Sequence, residues 1–289
     1  MSKEDFIRID NITKTFGKQI VLNNLSLSIP YQGIFGIMGL SGCGKTTLLN
    51  IIIGFWHPNN GSVYYNGINI REHQRIMNQL FGFATQAGSV YPKLTVEENL
   101  KYFARLYNMK PEDIKQRIEE LLKLVELEDS RHVIAQELST GMYRRLDIAC
   151  SMIHNPKVLI LDEPTGNLDP VLRKKLMALI KRIDDNGTKV IITSHLLGEI
   201  EKICDTLAII HHGKILEICS PDELKDKYTK DQIIKIETKK KSYENLIILL
   251  KKAGVRNIFQ KDRYIYIYTR DPEKILITIL SYVKSKSDQ

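Results

Sequence analysis

A chain of 289 residues and 33.3 kDa is long enough for one or two domains with a sizeable core, which excludes a disulfide-stapled miniprotein. Hydrophobic residues at 43% and charged residues at 26% exclude a disordered chain. The net charge of +8 and the isoelectric point near 9.1 admit a polyanionic partner, either nucleic acid or an anionic membrane. That charge is unevenly spread. Residues 231–289 carry 13 Lys/Arg against 7 Asp/Glu, a net +6, which leaves +2 for residues 1–230.

Cys43, Cys150, Cys204 and Cys219 are the four cysteines. They form no CxxC pair and no zinc-like spacing with histidine, so the expectation is a reducing cytosol with neither a disulfide framework nor a metal centre. The first residues, MSKEDFIRIDN, are charged and lack the apolar core of a signal peptide. No apolar run approaches the roughly 18 residues that cross a bilayer. Work at a membrane would therefore require another chain to supply the span.

In chain order, residues 6–9 and 20–29 read as strands, with Asn23-Asn24 as a turn between pieces. IFGIMG at 34–39 reads as a buried strand, followed by a Gly-rich turn and the helical TTLLNIIIGFW. SVYYNGINI holds Asn66-Gly67 between apolar runs, which predicts a hairpin over 62–70. From residue 95 the pattern turns helical. Thr95 and Glu98 form a capping box, Leu100, Phe103, Ala104 and Tyr107 follow at helical spacing, and Pro111 opens a second helix. Residues 95–155 form a helical insert. VLILDEPTG, a helix from about Pro170 to Asp185, KVIITSH, a helix from Leu197 to about Cys204, and the strand-like TLAIIHHGKILEI come next. Strands alternating with helices predict an α/β fold with a largely parallel sheet covered on both faces.

PDELKDKYTK at 221–230 is a charged helix and linker. The remaining 59 residues read as strand, helix, strand, strand, helix. The first helix runs from Ser242 to Ala253, the second and third strands meet at a Lys261-Asp262-Arg263 turn, and Asp271-Pro272 caps the last helix. On YIYIYT, Tyr264, Tyr266 and Tyr268 share one face while Ile265 and Ile267 share the other. The expectation is that the isoleucines pack on the helices and the tyrosines stay half exposed. A stacking platform for single-stranded nucleic acid is the other option. Lys239-Lys240-Lys241 reads as a solvated turn.

The chemistry starts at GLSGCGKT, Gly39 to Thr46, which fits the phosphate-binding pattern GxxxxGK[ST]. Glycines allow the backbone N–H groups to wrap phosphates, and the following helix presents its positive end. Lys45 reaches the terminal phosphates and Thr46 offers a hydroxyl to Mg²⁺. VLILDE, Val158 to Glu163, is an apolar strand ending in two acids at the carboxyl edge, where ligands of open α/β sheets bind. Asp162 is placed to hold Mg²⁺ and Glu163 to polarise a water.

LSTGM, Leu138 to Met142, resembles the LSGGQ signature of the ATP-binding cassette (ABC) ATPases. Gln86 resembles the Q-loop glutamine, GNLD at Gly166 to Asp169 the D-loop, His195 in TSH the switch histidine, and Phe16 in KTFG the aromatic that stacks on adenine. Taken alone, His195 would be a cap, Gln86 a surface polar residue, Phe16 core packing and Ser139 a helix N-cap. Their order along residues 1 to about 225 is what carries the resemblance. Thr140 stands where the family has a second glycine, Met142 where it has glutamine, Thr85 where a proline is frequent, and Gly166-Asn167 where Ser-Gly is common.

The resemblance implies a P-loop NTPase core of the ABC ATPase type, residues 1–230, with an antiparallel β subdomain and a helical subdomain at about 87–157. A small basic α+β accessory domain follows at 231–289. ATP and Mg²⁺ are the implied cofactors. Phe16, Gly39, Leu40, Ser41, Gly42, Cys43, Gly44, Lys45, Thr46, Thr47, Ser139 and Gly141 would bind the nucleotide, and Thr46, Gln86 and Asp162 the metal. Glu163, His195 and Gln86 would act in hydrolysis. Two cassettes, as a homodimer or a heterodimer, would sandwich two ATPs head to tail, with Ser139 and Gly141 of one facing the γ-phosphate held by the other. The methionine after the signature glycine and the string SHLLGEIEKICD resemble ATPases that export drugs, lipids or antibiotics through a separately encoded transmembrane permease. That places the chain at the cytoplasmic face of the cell membrane. The alternative is a soluble ABC-type ATPase acting on nucleic acid or ribosomes, which the single uninterrupted cassette disfavours.

Overall fold

A computed structural model describes residues 6–73, 77, 79–228, 232–237, 243–255, 257–261, 263–269 and 272–287. The chain divides into two compact units, one ending at Pro221 and one beginning at Asp222.

The first unit opens with β1 (Ile7–Phe16) and β2 (Gln19–Ile29), paired antiparallel from Ile7 opposite Ile29 to Phe16 opposite Gln19. The turn between them is at Gly17, with φ +59°. Asn23-Asn24, expected as a turn, lies instead within a continuous β2. The pairing shifts register between Ile12 and Lys14, and Asn24 takes φ +50°. A bulge consumes the turn-forming preference of asparagine without reversing the chain. β4 (Asn60–Tyr65) pairs with β1, and β5 (Ile68–Asn69) closes the hairpin expected over 62–70. Asn66 and Gly67 both have positive φ, as a type I′ turn requires.

The second sheet has the order β10-β9-β3-β8-β7-β6. β3 (Phe35–Met38), β6 (Phe81–Ala84), β7 (Val158–Asp162), β8 (Lys189–Ser194) and β9 (Thr206–His211) run parallel, and β10 (Lys214–Cys219) is an antiparallel edge. β6, at four residues, is too short to show a hydrophobic period in the sequence. TLAIIHHGKILEI is a hairpin rather than one strand, folded at His212 and Gly213, both at positive φ. β7 and β8 are buried along their whole length, as strands covered on both faces must be. Every side chain of Val158 to Leu161 is fully buried, and each contributes roughly 1.5–3 kcal/mol of burial free energy.

Helix α1 (Lys45–Ile52) leads directly out of the turn after β3 and stops at Gly54, φ +78°. The helical insert comprises α2 (Val96–Leu106), α3 (Pro111–Val125) and α4 (Thr140–Ser151). Thr95 and Glu98 form the expected reciprocal capping box on α2. Pro111 occupies the first turn of α3. α5 spans Pro170–Asp185, capped by Asp169, whose carboxylate accepts from the N–H groups of Val171 and Leu172. α6 is shorter than the sequence suggested, Leu197–Ile200 rather than reaching Cys204. The N–H groups of Ile203 and Cys204 both turn to the Ile200 carbonyl. Asp205 then caps the Ile34 N–H at 2.8 Å, which draws the chain into β9.

The second unit contains α7 (Pro221–Tyr228), whose first residue lies at the unit boundary, β11 (Gln232–Ile236), α8 (Glu244–Lys252), β12 (Asn257–Lys261), β13 (Tyr264–Thr269) and α9 (Pro272–Ser287). Its antiparallel sheet has the order β11-β13-β12. Ile265 and Ile267 are fully buried and join Tyr243, Leu246, Leu250, Ile275 and Ile279 in one core. The tyrosines of β13 are half-buried on the opposite face. Tyr264 lies under the Lys235 ammonium, 3.7 Å from the ring centroid, and Tyr268 meets Phe259 edge to face. Lys239-Lys240-Lys241, Asp262 and Asp271 lie outside the described residues.

Candidate functional site

The strand ends of β3, β7 and β8 converge on the turn before α1. Gly44 caps that helix at φ +109°, a conformation other residues rarely adopt. A Cβ at Gly39 would sit 2.5 Å from both Cys43 Sγ and the Ile210 carbonyl, so the loop can close only with glycine there. A P-loop with its backbone N–H groups at a helix start results, a site suited to phosphate oxygens.

Lys45 is buried at the bottom of this loop. Its ammonium donates to the Gly39 carbonyl at 2.8 Å and lies 3.1 Å from Glu163 Oε1. Thr46 Oγ1 donates to Asp162 Oδ2 at 2.7 Å. Glu163 follows the last residue of β7 at φ +48°, a strained placement of the kind that accumulates at functional sites. His195 Nδ1 approaches Glu163 Oε2 at 3.2 Å. One carboxylate therefore has the lysine on one oxygen and the histidine on the other.

Thr193 was not singled out from the sequence, although the string TSH contained it. It is fully buried at the end of β8. Its hydroxyl donates to Asp162 Oδ1 at 2.6 Å and accepts from the Glu163 N–H at 2.9 Å. It thereby fixes both acids of the Asp-Glu pair, because β7 and β8 are neighbours with Asp162 opposite Thr193.

Lys45, Thr46, Asp162, Glu163 and His195 thus meet in one place. Gly39 and Leu40 join them through their carbonyls, which accept from the Lys45 ammonium at 2.8 and 3.3 Å, whereas Phe16, Gln86, Ser139 and Gly141 make no hydrogen bond or ion pair to these five among the described residues. Phe16 ends β1, 44% exposed, with its ring edge-on to Trp56 at 5.1 Å, so it is not a core residue. Leu40, Ser41 and Gly42 are exposed along the loop, while Cys43 and Thr47 are buried beneath it. Gln86 is exposed after β6, and its carbonyl accepts from Arg144 Nη2 at 2.6 Å. Arg144 belongs to α4, and two more residues of that helix reach the same segment. Tyr143 donates to the Val90 carbonyl, and Asp147 accepts from the Ser89 N–H and hydroxyl, both at 2.8 Å. Burial raises the Asp147 carboxyl above its ordinary range, and the Ser89 bonds oppose that.

Ser139 is the N-cap of α4 and accepts from the Met142 N–H at 3.3 Å. It is exposed, as is Thr140. Thr140 opens a right-handed helix and needs no glycine-only conformation. Gly141 is the constrained position, since a Cβ there would lie 2.9 Å from Leu172 Cδ2 of α5.

The donor set suits Mg²⁺ on a nucleotide triphosphate. A hard cation with a few oxygen ligands and substrate phosphates needs only a hydroxyl and a carboxylate from the protein, and Thr46 and Asp162 offer these side by side. No cluster of three metal-ligating side chains occurs among the described residues. No helix among them is long and apolar enough to cross a membrane.

Residues 22–166 match the family model described as ABC transporter. The Nod factor export ATP-binding protein I of Rhizobium sp. (strain N33) is 30% identical over 94% of this chain and 89% of its own length. The linearmycin resistance ATP-binding protein LnrL of Bacillus subtilis (strain 168) is 29% identical over 95% and 89%. The Fe(3+) ions import ATP-binding protein FbpC of Escherichia coli O157:H7 is 32% identical over 78% and 64%. A solved structure of an ATP-binding subunit of an ABC transporter has the same fold, with a TM-score of 0.68 at 24% identity over 77% of this chain and 93% of that one. With the P-loop, the paired acids and His195 assembled as the geometry above describes, the chain belongs to the ABC transporter family, as an ATP-binding subunit.

Proposed function

We propose that this chain hydrolyses ATP with Mg²⁺ in a head-to-tail dimer of cassettes and drives export through a separate transmembrane permease. The observation that supports the chemistry best is the double engagement of Glu163 by Lys45 and His195 beside the Thr46–Asp162 pair.

The N–H groups of residues 39–47 and the Lys45 ammonium bind and orient the phosphates. Thr46, Asp162 and Gln86 would hold the Mg²⁺, and the bound ion would supply neutralisation of the phosphate charge. Glu163 Oε2 accepts the proton of the attacking water while His195 holds that carboxylate in place. Phe16 stacks on the adenine. Ser139 and Gly141, at the start of α4, where Ser139 and Thr140 are exposed, face the γ-phosphate held by a second cassette, identical or different. Arg144 and Asp147 carry movement of the Gln86 segment into α4.

Export is supported by the names of relatives that align with nearly the whole chain. The two relatives whose names give export or resistance align with 94% and 95% of the chain, and so include residues of the basic module at 231–289. Residues 231–289 are an accessory domain of the cassette, which works at the inner face of the cell membrane through the permease. The nucleic-acid alternative is weakened by the β13 tyrosines, since Lys235 and Phe259 already occupy two of their rings.

The test is Glu163→Gln. Turnover should vanish while ATP-dependent dimerisation, read by light scattering after size exclusion, persists. Full hydrolysis by that variant refutes the base. Co-purification with a polytopic membrane protein and ATP-dependent efflux support the transport role, whereas salt-sensitive RNA binding lost on deleting residues 231–289 supports the alternative.

A further inference from the structure

Glu199 is a buried carboxylate that touches neither the P-loop nor Glu163. It lies on the short α6, four residues after His195, with 12% of its side chain exposed. Oε2 accepts from Thr165 Oγ1 at 2.5 Å and from Ser194 Oγ at 3.5 Å. Oε1 takes no hydrogen bond among the described residues and lies 3.0 Å from Arg173 Nη1. Arg173 donates from Nε to the Leu168 carbonyl at 2.7 Å. Ser194 Oγ in turn accepts from the Leu196 N–H at 3.0 Å and so shapes the turn that carries His195.

A single carboxylate thus connects three segments. Thr165 begins the Gly166-to-Asp169 loop, Arg173 is in the first turn of α5 and grips that loop from its other end, and Ser194 flanks His195. Thr165 and Ser194 are both nearly fully buried. Two neutral hydroxyls could be satisfied by a neutral acceptor at far lower desolvation cost than a carboxylate. The charge is specified by Arg173, and Arg173 is specified by the loop carbonyl it holds.

We infer that Glu199 is a positioning residue that locks the Gly166-to-Asp169 loop to the His195 turn, so that His195 reaches Glu163 only while that loop is in place. The inference rests on the proposed role of His195, and the experiment separates the two.

Steady-state hydrolysis, TNP-ATP affinity and thermal midpoint are measured on the full chain for Glu199→Gln, Arg173→Met, His195→Ala and the combination Glu199→Gln/His195→Ala. Radiolabelled phosphate release reads low residual rates. Glu199→Gln and Arg173→Met should each lower kcat by about tenfold or more, with KM and TNP-ATP affinity within about twofold. Added to His195→Ala, Glu199→Gln should cost nothing further, because both act through the same contact. Normal kcat in Glu199→Gln beside a defective His195→Ala overturns this inference alone. Independent, multiplying defects overturn it too, as does a loss confined to nucleotide affinity. Normal turnover in His195→Ala overturns both this inference and the role of His195. Should Glu199→Gln unfold, Arg173→Met breaks the same ion pair from its more exposed partner and carries the same expectations.

Discussion

The Glu163 carboxylate lies 3.1 Å from the Lys45 ammonium, with 13% and 5% of the two side chains exposed. Such a pair is costly to break from one side, because the remaining charge keeps its desolvation penalty without its partner. Lys45→Met should abolish nucleotide binding and cost about 3 kcal/mol of stability. Adding Glu163→Gln should recover much of the stability and none of the binding. Urea unfolding and nucleotide titration of the two single variants and the double read this directly.

Thr193 bridges Asp162 and Glu163 by one hydroxyl. Thr193→Val keeps the shape and removes both bonds, so a loss of about 1–3 kcal/mol is expected from the groups left unsatisfied. The Mg²⁺ concentration for half-maximal turnover should rise, since Asp162 loses the donor that orients it. An unchanged Mg²⁺ dependence would place Thr193 outside the metal site.

Gly141 and Thr140 sit side by side in the signature, and neither backbone demands glycine through its φ. Gly141→Ala drives a methyl to 2.9 Å from Leu172 Cδ2, but that atom ends a flexible, half-buried side chain. Alanine gains roughly 1 kcal/mol over glycine in a helix, so the residual strain should cost no more than about 1 kcal/mol. Leu172→Ala in the same chain should relieve part of it. Thr140→Gly, which restores the glycine common in the family, should leave turnover within about twofold, because the helical first turn at Thr140 demands no special backbone. Thermal melts and steady-state rates measure the three variants.

His154 gives the fold a pH dependence. It stacks on Tyr107 at 3.6 Å with planes 10° apart, its Nε2 meets the Phe81 carbonyl at 3.1 Å, and Nδ1 is buried without a hydrogen-bond partner among the described residues. Burial pushes its pKa down from 6.5 to about 4. Below pH 6.5 the unfolded chain takes a proton that the folded chain refuses until about pH 4. Stability should therefore fall as pH falls through this window, by on the order of 2–3 kcal/mol. His154→Phe keeps the stack and should flatten that slope in urea titrations between pH 6.5 and 4.

Features governed by neighbouring residues were legible along the chain. Asn66-Gly67 closed a hairpin, Thr95 and Glu98 capped a helix, and Pro170 and Asp185 bounded one, because turn and cap chemistry act within about four residues. Gly39 to Thr46 was legible for the same reason, as was the alternation of Ile265 and Ile267 that fills the core of the second unit. Other features depend on which strands lie side by side, and they emerge from the fold alone. The four residues of β6 are a strand because β7 offers them a hydrogen-bonding edge, and Asn23-Asn24 form no turn because β1 pairs across them with a bulge. The partnership of Thr193 with Asp162, 31 positions apart, exists because β8 runs beside β7. The tie from Glu199 to Thr165 and Arg173 exists because the turns beyond those strand ends are packed together in a space where a buried charge must find its partners.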